Sequence, residues 1–546
     1  MVDTKKEYQN LTQIFQKSKY NLLLWVNLRL LNTLGKFVLV LYPLCISAQN
    51  KDSIALKYAN FISTEDLKKN LTIIASDEYE GRETGKRGQK MAADYIADQF
   101  KTEGIPALKH NGYFQPFLLN EKQPGEIKIF IQGKEFKANK DYYSFSGDIK
   151  TKRNKIKVNE LTFLGYGIEE KNYNDYAGVS VKNKTVLIFS GDPQDKDSLS
   201  LITKEINKSY WNDKQKIKHA GEKGVKTVLI VKEDIVKEVA RNKQKLESPS
   251  MALKSEKHCT SVIYISKQMA DSMLSGTSSV DKLKKEISLT QKPISINANK
   301  HLKITVKSKD QQISSENVLG YIEGRDLKNE VIVISAHYDH LGIRDNKVYN
   351  GADDDGSGTV ALMELAKVFA KAKKEGHGAR RSLLFIAFSG EEKGLLGSLY
   401  YSDHPEFPLS QTVCDLNIDM IGRIDEKHDN NADYVYLIGS DKLSSQLHNI
   451  SENTNKIYTN LQLDYTYNDE KDKNRFYYRS DHYNFAKNGV PVIFYFNGVH
   501  DDYHQETDEV KKINFEKIKK ISSLVFFTAW ELANREERIK VDSNKK

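Results

Sequence analysis

Cysteine is scarce: the chain has three in 546 residues, Cys45, Cys259 and Cys414. Three cysteines do not make a disulfide framework. None belongs to the histidine- and carboxylate-rich motifs described below, so a cation held there takes nitrogen and oxygen ligands. A dense basic block is also missing, because the net charge of +9 comes from lysines spread along the whole chain. Nucleic-acid recognition needs clustered Lys/Arg with exposed aromatics, so the charge reads as a solvated surface and no nucleic-acid partner is expected. No internal repeat and no low-complexity tract is evident. A hydrophobic content of 39% with 29% charged residues is ordinary for a soluble globular protein. At 546 residues one compact core is exceeded, and two or three domains are expected.

The longest apolar stretches sit near the N-terminus. Phe37 to Ala48 reads as the apolar core and cleavage region of a secretory signal, preceded by Lys17, Lys19, Arg29 and Lys36. Cleavage before Gln49 gives a leader of residues 1–48 and an exported chain, periplasmic, at the cell surface or extracellular. An uncleaved anchor is the rival, since Tyr20 to Leu31 is also apolar, but Arg29 and Lys36 break a clean span. Lipid attachment at Cys45 is disfavoured by the preceding Tyr42-Pro43-Leu44. No stable membrane insertion is expected after cleavage. Of the remaining cysteines, Cys259 and Cys414 could pair, but each reads better as a small buried hydrophobe.

Downstream, Met91, Ala92, Tyr95, Ile96 and Phe100 recur at helix spacing, after the polar loop Glu80 to Gly85. Between about 151 and 300 short β-rich runs alternate with lysine-rich turns, at Leu161–Leu164, Val186–Phe189, Val225–Val231 and Ser261–Ile265, with a helix at Asp213–Gly224. From Lys303 onward strands and helices alternate as in a parallel sheet with crossover helices. Strands are expected at Ile304–Val306, Val318–Ile322, Val331–Ser335, Ser382–Phe388, Val413–Ile418, Val435–Ile438 and Val492–Phe496. A helix follows Gly356-Ser-Gly358, and Asn514–Asn534 closes the fold. The fold class is therefore α/β, a mixed, mostly parallel sheet flanked by helices, with an inserted β-rich domain. The divisions are 49–150 and 301–546 for the two parts of one domain and 151–300 for the insert.

Chemistry concentrates where the expected strands end. His337-Tyr-Asp339, Asp353-Asp-Asp-Gly-Ser-Gly358, Ser389-Gly-Glu-Glu392, Asn417-Ile-Asp-Met420 and Tyr503-His504 follow one another down the chain. Singly each is weak: His-x-Asp pairs and acidic turns are common on surfaces. Their ordered recurrence at strand ends, where open α/β sheets bind ligands, points to a divalent-metal hydrolase, since such groups are costly to gather without a cation. A two-metal site needs a bridging carboxylate, capping ligands and a base. Asp354 can bridge, His337 and Asp419 can hold one ion, and Glu392 and His504 the other. Glu391 can face water as general base, Asp339 can orient the His337 ring, and Tyr503 can donate to a developing oxyanion. Asp353 and Asp355 read as turn-forming. Ser480 or Asp481 reads as a helix N-cap; His482 could help line the site, though the bland reading leads, and His340, His500 and Asp501 lie near the ligands in sequence only. The stretch Asp464–Tyr478 reads as a loop, at the cleft rim or on the plain surface.

These motifs, with Gly351-Ala-Asp-Asp-Asp-Gly-Ser-Gly358 and Asn417-Ile-Asp-Met-Ile-Gly422, closely resemble the M28 family of co-catalytic zinc peptidases. Gly165-Tyr-Gly167, Asp175-Tyr-Ala-Gly178 and Val186–Phe189 are similar to the protease-associated domain often inserted in that family. The resemblance implies two zinc ions per chain, with His337, Asp354, Glu392, Asp419 and His504 as ligands and Glu391 as base. It also implies peptide or protein substrates, most often attacked at the N-terminus. A carboxypeptidase of the same family would need a cationic pocket, for which Arg423, Arg475 and Arg479 are available. A glutaminyl cyclase fits the insert and the complete ligand set less well. From another class, a metal-stabilised binding module is opposed by Glu391, which a closed structural site does not need.

Overall fold

In the strands that carry the site motifs, apolar residues run without alternation, the pattern of strands covered on both faces. The computed structural model describes residues 51–543 apart from 109–111, 150–154, 207–210, 255–259, 308 and 430. The expected leader, Cys45 and Cys259 thus lie outside the described residues. No helix among the described residues is long and apolar enough to cross a membrane.

The larger sheet has nine strands: β1 (Phe114–Lys122), β2 (Ser250–Leu253), β3 (Asp310–Ile322), β4 (Leu327–His337), β5 (Arg381–Phe388), β6 (Thr412–Ile418), β7 (Tyr434–Ile438), β8 (Gln462–Asp464) and β9 (Val492–Phe496). Their order is β2-β1-β3-β5-β4-β6-β9-β7-β8. The sheet is mixed, as expected, with parallel pairing of β5, β4, β6 and β9 at its centre. Strands β2, β1, β3 and β5 pair antiparallel on one side. Every residue of β5, β6 and β9 is buried, as is β4 from Val331 onward.

Helices seal one face: α1 (Thr64–Ile74), α2 (Arg87–Thr102), α3 (Gly358–Lys374) and α4 (Phe515–Asn534). Helix α3 buries Val360, Leu362, Leu365, Ala366 and Phe369, residues at helical spacing. The Phe369 ring lies 4.8 Å from Phe526 and 6.1 Å from Trp530 of α4. Truncating such a ring typically costs about 3–5 kcal/mol. Helix α4 starts where Asn514 accepts the Lys517 N–H, an N-cap that satisfies an otherwise unpaired donor.

A second sheet of eight strands draws all its strands from Glu126 to Lys307. Four of its adjacent strands, Lys155–Leu164, Thr185–Phe189, Thr227–Lys232 and Ser261–Ser266, are mutually parallel. Apart from β2, the chain between the end of β1 and the start of β3 lies outside the large sheet, and these two ends are neighbours, Lys122 opposite Asp310. Helices missed in the sequence also pack here, at Ile235–Arg241, Lys267–Leu274 and Val280–Thr290. They are short, and few apolar positions mark them, such as Val280, Leu283 and Ile287 in the last. Side-chain N-caps at Asp234, Ser266 and Ser279 define their starts.

Candidate metal centre

Parallel pairing brings the carboxyl ends of β4, β5, β6 and β9 to one edge. His337 ends β4, Asp419 follows β6, Glu391 and Glu392 follow β5, and His504 lies on the segment after β9. Asp354 enters from the turn that starts α3, and the Asp354–Asp355 peptide is cis. His337 Nε2 lies 3.3 Å from Asp354 Oδ1, 3.6 Å from Asp419 Oδ1 and 4.0 Å from Glu391 Oε2. His504 Nε2 lies 3.0 Å from Asp354 Oδ2 and 3.4 Å from Glu392 Oε1. The two oxygens of Asp354 thus face different imidazoles. All six residues, expected from motifs spread over the chain, meet in one cluster.

The cluster fits divalent metal. With Zn–N and Zn–O bonds near 2.0–2.1 Å, ligand atoms on a tetrahedral ion sit roughly 3.3 Å apart, close to the 3.0–3.6 Å spacings of the ligand atoms here. Glu392 Oε1 is buried with no hydrogen-bond partner, which a carboxylate oxygen tolerates poorly unless a cation meets it. Spacing alone would also admit Asp355 beside His337 and Asp419. Its oxygens, however, already accept the main-chain N–H groups of Gly358, Met420 and His337 at 2.9, 3.0 and 3.1 Å. Asp355 is a turn-former, and Asp354 is the carboxylate left facing the imidazoles. Asp353 likewise accepts the Gly422 N–H at 2.6 Å.

Neighbours set the ligand positions. His337 Nδ1 lies 3.1 Å from the main-chain carbonyl of Asp339, closer than the 3.7 Å to its carboxylate. That carboxylate instead accepts the Thr84 hydroxyl at 2.6 Å and the Glu391 N–H at 3.2 Å, tying Glu391 to the segment that follows β4. Of the two expected N-caps, Asp481 holds the position without a side-chain cap bond, and Ser480 turns into the site. Its hydroxyl donates to Asp419 Oδ2 at 2.6 Å and accepts from Asn417 at 2.9 Å. Asp508 Oδ2 accepts the N–H groups of Asp353 and Asp354 at 2.9 and 3.2 Å. Arg82 is wholly buried and donates to the carbonyls of Tyr338, Ile74, Asn350 and Gly351. None of Ser480, Asp508 and Arg82 was read as part of the site. Two placements also correct the sequence reading: His500 Nε2 sits 3.1 Å from Asp353, and His340 Nδ1 sits 3.0 Å from Glu392. The His340 imidazole thus reaches the cluster, and that of His500 reaches Asp353 beside it.

Electrostatics separate the two adjacent glutamates. Burial raises the Glu391 carboxyl well above the usual range, and the charges of Glu392 and Asp419 add to this against the pull of His337. Burial and Asp354 push Glu392 up too, but contacts with His340 and His504 prevail and hold it at about 2. Burial opposes charging the His337 ring, yet Asp419 and the other carboxylates lift it well above its ordinary value. His504 is lifted to about 10, its contacts with Asp354 and Glu392 outweighing burial.

The mouth is aromatic. Phe476, Phe494, Phe496 and Met420 line it beside Tyr503 and Arg479. The Asp464–Tyr478 stretch therefore supplies a cleft wall through Phe476, and short helical turns order it at Thr466–Asn468 and Phe476–Tyr478. Arg479 donates to the Tyr503 hydroxyl at 3.1 Å. Arg423 pairs with Asp502 at 2.8 Å, and Arg475 lies over the Tyr478 ring. His482 is buried, stacked 4.8 Å from Phe494, a core residue.

Comparison with known proteins agrees with this geometry. Residues 317–529, which contain the whole cluster, match the description "Peptidase family M28". That segment is a family M28 peptidase domain. The chain is 27% identical over 235 residues to aminopeptidase YwaD of Bacillus subtilis (strain 168), covering 42% of this chain and 47% of that protein. It is 35% identical over 105 residues to the probable glutamate carboxypeptidase LAMP1 of Arabidopsis thaliana, covering 19% of this chain and 14% of that one. The chain thus matches about half or less of the length of these curated relatives. Among solved structures, the aminopeptidase from Aneurinibacillus sp. strain AM-1 shares the fold. Its TM-score is 0.51 at 20% identity, over 89% of this chain and 98% of that one.

Proposed function

We propose that the chain is an exported di-zinc metallopeptidase that removes N-terminal residues from peptides or proteins. One observation carries this reading: Asp354 lies between two imidazole–carboxylate pairs, and Glu391 stands beside them at 4.0 Å from His337 Nε2. His337, Asp419 and Asp354 would hold one zinc, and His504, Glu392 and Asp354 the other. Bound there, the metals supply Lewis acidity toward the scissile carbonyl and lower the pKa of water. Glu391 takes a proton from the attacking water and returns it to the leaving amine. Tyr503 points its hydroxyl proton at the developing oxyanion, because its oxygen already accepts from Arg479. The carboxylate cluster attracts the substrate's α-ammonium, and the aromatic wall receives an apolar side chain.

The segment between Lys122 and Asp310 we take as an inserted domain of the protease-associated kind. Export rests on the leader expected at 1–48. A carboxypeptidase is the second reading, favoured by Arg479, an exposed cation at the mouth that a terminal carboxylate would need. Hydrolysis of peptides with free and with acetylated N-termini, with and without a chelator, separates the two. Chelator-sensitive release of the first residue from free peptides only is the expected result. Cleavage of the acetylated set from its carboxyl end moves the assignment to the carboxypeptidase. No cleavage of either, with metal bound, leaves a metal-stabilised binding module.

A further inference from the structure

One imidazole at the strand ends belongs to no ligand set named so far. His340 is fully buried, and neither of its ring nitrogens has a hydrogen-bond partner. Burying both nitrogens unpaired is costly unless something meets them. Nδ1 lies 3.0 Å from Glu392 Oε1 and 3.8 Å from Asp354 Oδ2. His504 Nε2 approaches the same two oxygens, at 3.4 and 3.0 Å. Glu392 Oε1 has no hydrogen-bond donor, so Nδ1 is close to it without being aligned as an N–H donor. The two imidazoles meet edge-on, 5.9 Å apart.

The backbone holds the ring in place. The His340 N–H donates to the Arg82 carbonyl at 3.2 Å, and residue 340 bridges Glu83. Gly351, at φ +53°, passes beneath the ring, and a Cβ there would lie 2.4 Å from His340 Cδ2. An ordinary residue at 351 would displace the imidazole.

We infer that His340 Nδ1, together with His504 Nε2, Asp354 Oδ2 and Glu392 Oε1, is a ligand of one of the two cations. This rests on the metal-binding reading given above. That ion then has four protein donors, the closed arrangement of tightly held zinc. The ion at His337, Asp419 and Asp354 has three, the open arrangement that leaves a position for water or substrate. The site is therefore asymmetric, with one ion held by one more protein donor than the other.

Titration of the metal-free full chain with zinc against a chromophoric chelator tests this, with elemental analysis giving the stoichiometry. In His340→Gln the tightest ion should weaken by about 100-fold or more, beyond the 10–100-fold of an indirect contact. The other ion should stay within about threefold. His340→Cys puts a thiolate where Nδ1 stood, and its cobalt-loaded form should show a thiolate-to-cobalt charge-transfer band absent from the parent chain. This band distinguishes a ligand from a residue that merely positions Glu392. It also serves as the readout if His340→Gln fails to fold, judged by circular dichroism. A parent chain that binds metal, with His340→Gln affinities within threefold of it and no band in His340→Cys, overturns the inference alone. A parent chain that binds no metal overturns the metal reading, and this inference with it.

Discussion

The two sheets share a device and use it differently. Each has four adjacent parallel strands, and each presents carbonyl-bearing strand ends along one edge. In the second sheet a buried lysine satisfies one of those strand ends. Lys216 is fully buried, and its ammonium donates to the carbonyls of Phe189, at 3.0 Å, and Gly191. Lys232 pairs with Asp213 at 2.6 Å. In the large sheet the same edge gathers imidazoles and carboxylates, and some of their atoms, Glu392 Oε1 among them, have no hydrogen-bond partner. Among the described residues, the histidine–carboxylate groups spaced closely enough for a metal lie at the strand ends of the large sheet. Strand ends offer a place for a ligand, but the side chains delivered there decide whether it is closed or active.

Replacing Glu391 with Gln tests the active edge most severely. Peptidase turnover should fall by about 10²–10⁴-fold, the usual worth of a general base, while metal content stays at the parental level. Unchanged turnover would remove Glu391 from the chemistry.

A smaller effect is expected at Ser480, which touches a candidate ligand without being one. Ser480→Ala should weaken the ion at Asp419 by about 10–100-fold, read by chelator competition. An unaltered affinity would make the hydroxyl a packing detail.

Acidity should separate the two edges as well. His504 is raised from 6.5 to about 10, so its contribution to stability is full below 6.5 and lost as pH rises through about 10. His337 and Glu391 are raised too and act in the same direction, whereas Glu392, at about 2, stays ionised across this window. Through these three groups the folded metal-free protein binds more protons than the unfolded one there, which lowers stability as pH rises. This outweighs the opposite contribution of Lys216 and Lys517, lowered by burial to about 8 and about 7. The melting temperature of metal-free protein should therefore drop between pH 6.5 and 9.5, and zinc should lessen the drop by replacing those protons. A flat metal-free profile would contradict the raised values.

The smallest effect on catalysis belongs to the edge of the second sheet. Lys216→Met leaves buried carbonyls unpaired and should destabilise the protein by about 1–3 kcal/mol in denaturant unfolding. Turnover of the folded fraction should stay as it was. A parallel loss of turnover would tie the second sheet to the chemistry and end the contrast.

How far such features were legible in advance depends on range. Strand β4 could be read from Val331–Ser335 because burial on both faces leaves an unbroken apolar run. Helix α3 could be read from Val360 to Phe369 because its buried stripe has helical spacing. His337, Asp354, Glu391, Glu392, Asp419 and His504 stood out because short motifs carry them at strand ends. Ser480 could not be told from a cap, since the hydrogen bond that defines it reaches Asp419, 61 residues away. Arg82 looked like part of a polar loop because the carbonyls of Asn350 and Gly351 that it holds lie 268 and 269 residues on.

The sequence by itself determined which segments are apolar enough to become strands and helices, and which ligating residue types stand beside them. These are local properties, written in composition and spacing. Tertiary structure alone decided which oxygen of Asp354 faces which imidazole, that Asp355 is spent on main-chain N–H groups, and that His340 turns toward Glu392. Those outcomes depend on angles and distances between distant segments, which are set only when parallel strands bring their ends together.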